Sequence, residues 1–197
     1  LHSFRINLNL INKTNLWKIK LKLVVKLKKN LVLTGMMGVG KSTIGKNLAN
    51  KLSYSHVDID RIIEEKEGST INIIFKNKGE NYFRMLENKT TITELKKDSS
   101  VISLGGGAFL NKDIRRAVKK FSFSFWLDIN LNILINRLKR SKKRPLLFRR
   151  NIGETVAKIY FDRKKIYSEA DYRLNCDKLK TDTIIGKILK IYENVWS

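Results

Sequence analysis

A glycine-rich segment that ends in a lysine and two hydroxyl residues has the residue types and the spacing needed to hold a phosphate group. It runs from Gly35 to Thr43, reads GMMGVGKST and matches the pattern G-x-x-x-x-G-K-[S/T]. A short apolar run, 31–34, precedes it, and Ile44, Leu48 and Leu52 follow at intervals of four residues. Such spacing indicates a buried strand and then a helix. The segment is therefore expected to bind a nucleotide phosphate at the helix N-terminus, where backbone N–H groups converge.

The side chains of this segment predict ATP as the phosphate donor and Mg²⁺ as its counter-ion. Lys41 can reach the β and γ phosphates, and the Ser42 hydroxyl can ligate Mg²⁺. The full set of predicted ATP contacts in the segment is Gly38, Val39, Gly40, Lys41, Ser42 and Thr43. A plain glycine turn with an incidental lysine and serine is the alternative, but it would not need a strand before it and a helix after it.

Two further groups of residues follow predicted strands and could choose the phosphate acceptor. Asp58 and Asp60 end the second predicted strand, and two carboxylates two residues apart in an extended chain point the same way. Gly105–Gly107 follow the apolar run 101–104 and permit close approach of the backbone to a ligand. Both groups would lie at the carboxyl edge of a parallel sheet, where ligands bind in α/β folds. Each group alone is also compatible with an ordinary strand end or a flexible turn.

The elements that would hold these residues alternate between short apolar runs and helical periods from residue 30 onward. This order is typical of the α/β class, and we expect a three-layer domain with a central parallel sheet of about five strands flanked by helices. The predicted strands are 31–34, 54–57, 101–104, 121–127 and 172–175. The predicted helices follow residue 43, cover 61–67 with a C-cap at Gly68, run up to 97, and recur over 131–138, 156–166 and 184–191.

A polar and basic stretch from Lys139 to Glu154 is too long for an ordinary connection between two helices. It contains the only proline of the chain, Pro145, together with several arginines and lysines. We expect this stretch to form a mobile lid that closes over the nucleotide and excludes water.

Basic residues outnumber acidic ones, and the formal net charge is +23. Residues 1–29 hold eight basic residues and no acidic one, so the other 168 residues still hold +15 of that charge. A basic chain can bind nucleic acid, an anionic membrane surface or an acidic small ligand. Because Lys, Asn and Ile are frequent throughout, a general drift in composition is the favoured explanation, and we expect no nucleic-acid partner.

Residues 1–29 show no clear hydrophobic period and no helix caps, so the folded domain is expected to cover 30–197. The first segment is interpreted as a disordered basic arm, a targeting segment or upstream codons wrongly included in the reading frame. No apolar run reaches the roughly 18 to 20 residues that span a bilayer. Cys176 is the only cysteine, which excludes an internal disulfide. A cytoplasmic location, no membrane partner and a monomer are therefore expected.

Six motifs, in this order, resemble those of the shikimate kinase family. They are GMMGVGKST from Gly35, DID from Asp58, FR at Phe83, SLGGGAF from Ser103, RPLL from Arg144 and RKKIY from Arg163. The resemblance extends from residue 30 to residue 171 of the chain. It implies a P-loop kinase fold and transfer of the γ-phosphoryl group of ATP to the 3-hydroxyl of shikimate, a step toward chorismate and the aromatic amino acids.

The resemblance also implies roles for single residues. The implied shikimate contacts are Asp60, Arg84, Gly105, Gly106, Gly107 and Arg163. The implied metal residues are Ser42 and, indirectly, Asp58. The implied nucleotide contacts outside the glycine-rich segment are Arg137 and Arg144. The predicted catalytic residues are Lys41, Asp60 and Arg144.

Shikimate carries a carboxylate and three hydroxyls on a small ring, and the implied contacts suit these groups. Arg84 and Arg163 can bind the carboxylate through charge-assisted hydrogen bonds, although either could instead form a surface salt bridge. Glu87, one helical turn after Arg84, could hold that arginine in place. Asp60 can orient a ring hydroxyl for in-line attack or act as its base.

Alternative functions within the enzymes are phosphorylation of another small hydroxylated acid, such as gluconate, or of a nucleoside monophosphate. The RPLL motif and the paired arginines argue against both. A basic nucleic-acid-binding ATPase module is the alternative from another class, and it would call for aromatic residues on which bases stack. An inactive relative is disfavoured because Lys41, Ser42, Asp60 and Arg144 are all present.

Some features depart from the family pattern or fall outside it. The stretch 178–183 lacks the proline that often packs on adenine in this family. His56 and Trp126 have no matching role; they are interpreted as an ordinary strand residue and a core residue.

Overall fold

The computed structural model describes residues 30–140 and 151–196, and five parallel strands form one sheet in the order β2-β3-β1-β4-β5. The strands are β1 Asn30–Thr34, β2 Ser55–Asp58, β3 Ser100–Ser103, β4 Ser122–Asp128 and β5 Tyr172–Asn175. In the centre of the sheet, Leu31 pairs with Val101 on one side and with Phe123 on the other. The predicted α/β class and the five-stranded parallel sheet are confirmed.

Seven α-helices flank the sheet within these two ranges. They are α1 Lys41–Leu52, α2 Ile59–Glu67, α3 Ile71–Leu95, α4 Lys112–Phe121, α5 Leu131–Lys139, α6 Ile152–Tyr167 and α7 Thr181–Trp196. A short 3₁₀ turn, Ala108–Leu110, precedes α4. Of the helices in the described part of the chain, none is both long and apolar enough to cross a membrane.

Every residue of β1 and β4 is buried, which places the core on both faces of the sheet centre. Strands covered on both faces show continuous apolar runs instead of alternation, and this explains the run 31–34. Trp126 of β4 is 1% exposed, which confirms its interpretation as a core residue.

Asn30 ties the first strand to the elements beside it. Its amide group donates to the carbonyl of Leu95 at 3.0 Å, and its Oδ1 accepts from the backbone N–H of Ser100 at 2.9 Å. A buried amide is tolerated because these hydrogen bonds replace those to water. The pairing fixes β1 beside β3, the two strands that lead to the glycine-rich segments.

The second strand ends earlier than the sequence pattern predicts. β2 stops at Asp58, whose carboxylate accepts from the backbone N–H of Arg61 at 3.4 Å and so caps α2. Asp60 consequently lies in the first turn of α2. The expectation that both carboxylates extend from one strand is wrong, because aspartate is a strong N-cap and starts a helix here.

α4 has no counterpart among the predicted helices. Ile114 and Val118 of this helix are buried, and Ala117 and Phe121 pack against the core at the i, i+3, i+4, i+7 spacing of one helix face. The helix was not predicted because Phe121 was assigned to the following strand, 121–127. Its start is set by Asn111, whose side chain accepts from the N–H groups of Asp113 and Ile114.

α6 begins at Ile152, so the connection before this helix ends earlier than the predicted lid, which was expected to extend to Glu154. The asparagine before it, Asn151, accepts a hydrogen bond from the N–H of Gly153 and caps the helix. The rest of the predicted lid, 141–150, lies outside the described residues, as does the predicted appendage, 1–29.

α3 is interrupted at Gly79, which has φ 81° and ψ 168° within the helix. Residues other than glycine rarely adopt this backbone conformation. The helix therefore consists of two segments, and the second one carries Arg84 and Glu87.

Candidate active site

The phosphate loop, defined as Gly35–Gly40, connects β1 to α1 and has a conformation that depends on glycine. Gly38 and Gly40 have φ values of 81° and 102°, and Gly40 is the N-cap residue of α1. The positive φ values turn the chain so that successive backbone N–H groups can face one anion. Val39, 3% exposed, anchors the loop to the core. Such a loop at a helix N-terminus can bind a phosphate group.

Lys41 lies in the first turn of α1 and is 9% exposed. Its Nζ donates to the carbonyl oxygens of Gly35 at 2.8 Å and Met36 at 2.9 Å. The side chain thus curls back over the phosphate loop and holds a positive charge beside it. Part of the charge that a bound phosphate would need is already in place.

Ser42 and Asp58 come together although 16 residues separate them. The Ser42 hydroxyl donates to Asp58 Oδ2 at 2.5 Å. Both are oxygen ligands, the type that Mg²⁺ prefers. No group of three or more His, Cys, Asp or Glu side chains that could hold a metal occurs in residues 30–140 and 151–196. A Mg²⁺ ion next to Ser42 would therefore take further ligands from nucleotide phosphates and water.

The middle residue of the glycine run, defined as Gly105–Gly107, lies between the phosphate loop and α6. A methyl group added at Gly106 would come within 3.3 Å of the backbone nitrogen of Met37 and 3.8 Å of Arg163. The carbonyl of Gly106 accepts from Arg163 NH1 at 2.8 Å and from the Tyr167 hydroxyl at 2.5 Å. Any ligand on the glycine run would consequently adjoin a phosphate held in the loop.

The outer two residues of the glycine run contact the other predicted acceptor residues. A methyl group at Gly105 would lie 2.5 Å from Asp60 Oδ1 and 2.7 Å from Glu87 Oε1. One at Gly107 would lie 2.6 Å from Arg84 NH1. No side chain larger than hydrogen fits at either position without displacing a charged group. The structure thus brings Asp60, Arg84 and the glycine run to one place.

Arg84 is held between two carboxylates of its own helix. Its NH1 donates to Glu87 Oε2 at 2.7 Å, and its NH2 donates to Glu80 Oε1 at 2.9 Å. Glu87 is 2% exposed, whereas the Arg84 side chain is 33% exposed. The expectation that Glu87 holds Arg84 is confirmed, and one side of the guanidinium remains open to a ligand.

Burial is the main reason that the pKa of Glu87 is raised above its usual value. The opposing attraction of Arg84 comes next, Asp60 adds a smaller upward shift, and Arg163 a smaller downward one. Glu87 Oε1 makes no hydrogen bond within the described residues. Two carboxylates and two guanidinium groups therefore share one partly dehydrated site, in which a bound acid would complete the pairing of the arginines.

Tyr167 is a site residue to which the sequence analysis assigned no role. It is fully buried and donates to the carbonyl of Gly106, and burial raises the pKa of its hydroxyl. Its place in the RKKIY motif, four residues after Arg163, was the available signal. Residues four apart lie on the same face of a helix, which explains why Arg163 and Tyr167 both reach the carbonyl of Gly106.

Of the two arginines assigned to the nucleotide, only Arg137 lies within the described residues. Arg137 is exposed on α5, next to Leu138, whose Cδ2 would lie 2.8 Å from a methyl group at Gly38. α5 thus packs on the phosphate loop through Leu138, the residue that follows Arg137. Arg144 lies outside the described residues.

The sequence of this chain is similar to those of known shikimate kinases. A family model described as "Shikimate kinase" matches residues 37–193. A shikimate kinase of Sulfurihydrogenibium sp. (strain YO3AOP1) is 44% identical over 161 residues, which cover 82% of this chain and 96% of the relative. A shikimate kinase of Bartonella quintana (strain Toulouse) is 40% identical over 167 residues, which cover 85% of this chain and 80% of the relative.

The structure is also similar to solved structures of shikimate kinases. The shikimate kinase from Acinetobacter baumannii in complex with shikimate has a TM-score of 0.80 and 29% identity, with 88% of this chain and 97% of that chain covered. A gluconokinase from Sinorhizobium meliloti 1021 has a TM-score of 0.52 and 15% identity, covers 86% of this chain and 97% of that chain, and shares the fold alone.

Proposed function

This chain belongs to the shikimate kinase family, and on that premise we propose that its phosphate loop and glycine run together transfer the γ-phosphoryl group of ATP to the 3-hydroxyl of shikimate. The activity is that of a shikimate kinase, with ATP as the donor. The observation that carries the proposal is the position of Gly106, which adjoins Met37 of the phosphate loop and accepts a hydrogen bond from Arg163.

The donor half of the proposal rests on the phosphate loop. Backbone N–H groups of Gly38 to Gly40 and the N-terminus of α1 would hold the phosphates, with Lys41 beside them. Ser42 and Thr43 follow in the first turn of the same helix and are both exposed. Arg137 would approach the nucleotide from α5, the helix that packs on Gly38.

The acceptor half rests on charge and on hydrogen-bonding groups. Arg84 and Arg163 would bind the shikimate carboxylate, because two guanidinium groups suit one carboxylate better than a single lysine would. Asp60 would accept a hydrogen bond from a ring hydroxyl next to Gly105. The missing side chains of Gly105–Gly107 leave the space in which a flat ring could approach the backbone.

In the proposed reaction the 3-hydroxyl oxygen of shikimate forms a bond to the γ-phosphorus of ATP, and the bond from that phosphorus to the bridging β,γ-oxygen breaks. ADP leaves with the electron pair of that bond. The hydroxyl proton passes to Asp60 and from there to solvent. Because phosphoryl transfer has a loose transition state, the larger contribution comes from positioning and from the charges of Lys41 and Arg144.

Mg²⁺ forms part of the proposal because its ligand preference fits the residues present. Ser42 would ligate the ion directly, and Asp58, which already accepts a hydrogen bond from Ser42, would hold it indirectly. The ion would neutralise phosphate charge.

A coupled assay of ADP release tests the function, with shikimate, gluconate, a nucleoside monophosphate and DNA as separate additions. We expect ADP release when shikimate is added and not with the other three additions. The product should show a new phosphomonoester signal in its ³¹P spectrum. Asp60→Asn should abolish most of that release, whereas Arg116→Ala, on the exposed side of α4, should not alter it. Faster release with gluconate than with shikimate would contradict the proposed acceptor.

The role of Arg144 rests on the RPLL motif, and a separate set of variants tests it. Arg144→Ala should lower kcat by about 10² to 10³, as loss of one preorganised donor does. Arg144→Lys should recover part of that activity, because it restores the charge without the planar fork. Lys142→Ala and Lys143→Ala are the controls. Equal damage from all four changes would instead indicate a diffuse positive field.

A further inference from the structure

His56 has no role in the function described so far, yet it lies against the helix that carries Lys41 and Ser42. The imidazole is half-buried on β2, and its Nε2 lies 3.2 Å from the hydroxyl oxygen of Ser103. Ser103 is 1% exposed and ends β3, two residues before the glycine run. Its hydroxyl oxygen lies 3.2 Å from the backbone carbonyl oxygen of Lys41. A continuous path thus leads from His56 through Ser103 to the start of α1.

The direction of the two hydrogen bonds follows from the groups involved. A carbonyl oxygen can only accept, so the single hydroxyl proton of Ser103 goes to Lys41. Ser103 can then only accept from the imidazole, which requires a proton on Nε2 of His56. The path therefore works as a relay of fixed direction, from Nε2–H to the hydroxyl and from the hydroxyl to the carbonyl.

The same two side chains are packed against α1 without a gap. A methyl group at Gly45 would lie 2.5 Å from Ser103 Oγ and 2.8 Å from His56 Nε2. Gly45 is one helical turn after Lys41, so both ends of this turn rest on the pair. A shift of the imidazole or of the hydroxyl would therefore move the first turn of α1 relative to β3.

The relay needs only a proton on Nε2, which the neutral Nε2–H tautomer and the imidazolium both carry, so it does not depend on the titration of His56. Three charged groups lie around the imidazole, namely Lys46, Arg61 and Asp58. These groups come from α1, α2 and β2, and together with Glu65 of α2 they line a cavity of about 610 Å³ beside the imidazole. Asp58 also accepts from Ser42, so the cavity reaches the edge of the proposed metal position.

We propose that His56 is a positioning residue for ATP binding, which acts through Ser103 on the first turn of α1 and so sets the place of Lys41 and Ser42. The inference rests on the proposed function, from which it takes ATP and shikimate as the two substrates. It does not involve contact between His56 and either substrate. It predicts an effect on the donor side alone, since Arg84 and Arg163 lie on other helices, α3 and α6.

Matched variants of His56 and Ser103 test the relay. His56→Phe keeps a flat ring but removes the donor, and Ser103→Ala removes the hydroxyl. Each should weaken ATP binding about 2- to 10-fold, the range expected for one hydrogen bond, and leave the KM for shikimate unchanged. The double variant should be no weaker than the worse single variant, because both changes break one path. His56→Gln, which offers an N–H donor at a similar reach, should restore most of the affinity.

ATP affinity is measured by calorimetry without shikimate, and this keeps the test independent of the proposed acceptor. If the wild-type protein binds ATP but does not phosphorylate shikimate, the proposed function fails while the relay is still tested. ¹⁵N spectra give a second measurement, since His2 and His56 are the only histidines and His56→Gln assigns the signal. A proton on Nδ1 in place of Nε2, unchanged ATP affinity in His56→Phe, or no recovery in His56→Gln would overturn the inference.

Discussion

The hydroxyl of Tyr167 donates to the carbonyl oxygen of Gly106 at 2.5 Å, across 61 residues of sequence. Arg163 donates to the same oxygen at 2.8 Å. One carbonyl of the glycine run is thus held by two side chains of α6, and Arg163 is also a proposed substrate contact. The orientation of the acceptor site depends on a residue that would not itself touch the substrate.

Tyr167→Phe should therefore impair the acceptor side of the site. The variant loses one hydrogen bond in a buried place, which should cost about 1 kcal/mol of folding free energy. Because Gly106 is then held by Arg163 alone, the KM for shikimate should rise several-fold while ATP binding stays the same. Steady-state kinetics with each substrate varied in turn measure this difference.

Tyr160→Phe is the matched control on the same helix. Its hydroxyl donates to Oδ1 of Asp128 at 3.1 Å, while Arg173 donates to Oδ2 of the same carboxylate, and the glycine run is not involved. This variant should lose a similar amount of stability and keep its KM for shikimate. Equal changes of KM in both variants would mean that α6 transmits any loss of stability to the site, without a specific role of Tyr167.

Arg84→Ala and Arg163→Ala should raise the KM for shikimate and leave ATP binding nearly unchanged. For Arg84 we expect about 10- to 100-fold, below the full effect of a dehydrated ion pair because its side chain is 33% exposed. Arg163→Ala should also loosen the glycine run, since it removes a hydrogen bond to Gly106. Arg116→Ala, whose side chain is 80% exposed, is the control. Normal KM for shikimate with weakened ATP binding would reverse the assignment.

The sheet could be predicted from sequence because its central strands are buried on both faces. Runs such as 31–34 and 101–104 stand out from the helical periods around them, and the observed bounds of β1 and β3 differ from them by at most one residue at each end. α4 was missed although Ile114, Ala117, Val118 and Phe121 recur at the spacing of one helix face, because Phe121 was assigned to the strand that follows. Local pattern is ambiguous where one residue fits both the end of a helix period and the start of an apolar strand.

The structure brings several of the predicted site residues together, but the sequence did not predict the contacts between them. Asp58 and Asp60 were expected side by side on a strand, whereas Asp58 caps α2 and Asp60 lies within it. Their separation sends one carboxylate to Ser42 and the other to Gly105. Such pairings join residues far apart in the chain, and they depend on how helices pack on the sheet, which no local spacing encodes.

Gly79→Ala and Gly186→Ala should change stability in opposite directions. Gly79 has a positive φ within α3, so alanine should destabilise the protein by about 1 to 3 kcal/mol. Gly186 lies exposed within α7 with open space around it, and alanine there should stabilise the helix by about 0.5 to 1 kcal/mol. Denaturant unfolding of both variants measures the difference. A stabilised Gly79→Ala variant would show that the break in α3 is not imposed by this residue.

The stability of the protein should depend on pH through His56. The pKa of this imidazole is lowered from 6.5 in the folded protein, mainly by burial, so the unfolded chain binds a proton more readily than the folded one. Stability therefore rises with pH in this window. The contribution of the neutral imidazole is fully present above about 6.5 and is lost as the pH falls from there through the lower folded pKa.

His56→Gln isolates this contribution, because glutamine does not titrate. The free energy of unfolding should be measured for both proteins between pH 8 and pH 5, in the absence of nucleotide and at constant ionic strength. At pH 8 the two values should be similar, since glutamine can still donate to Ser103. Toward pH 5 the wild-type protein should lose more stability than the variant, because only its folded state must keep an imidazole neutral beside Lys46 and Arg61. A difference that stays constant over the whole range would show that burial does not disfavour the imidazolium, and a difference of opposite sign would show that Asp58 dominates its surroundings.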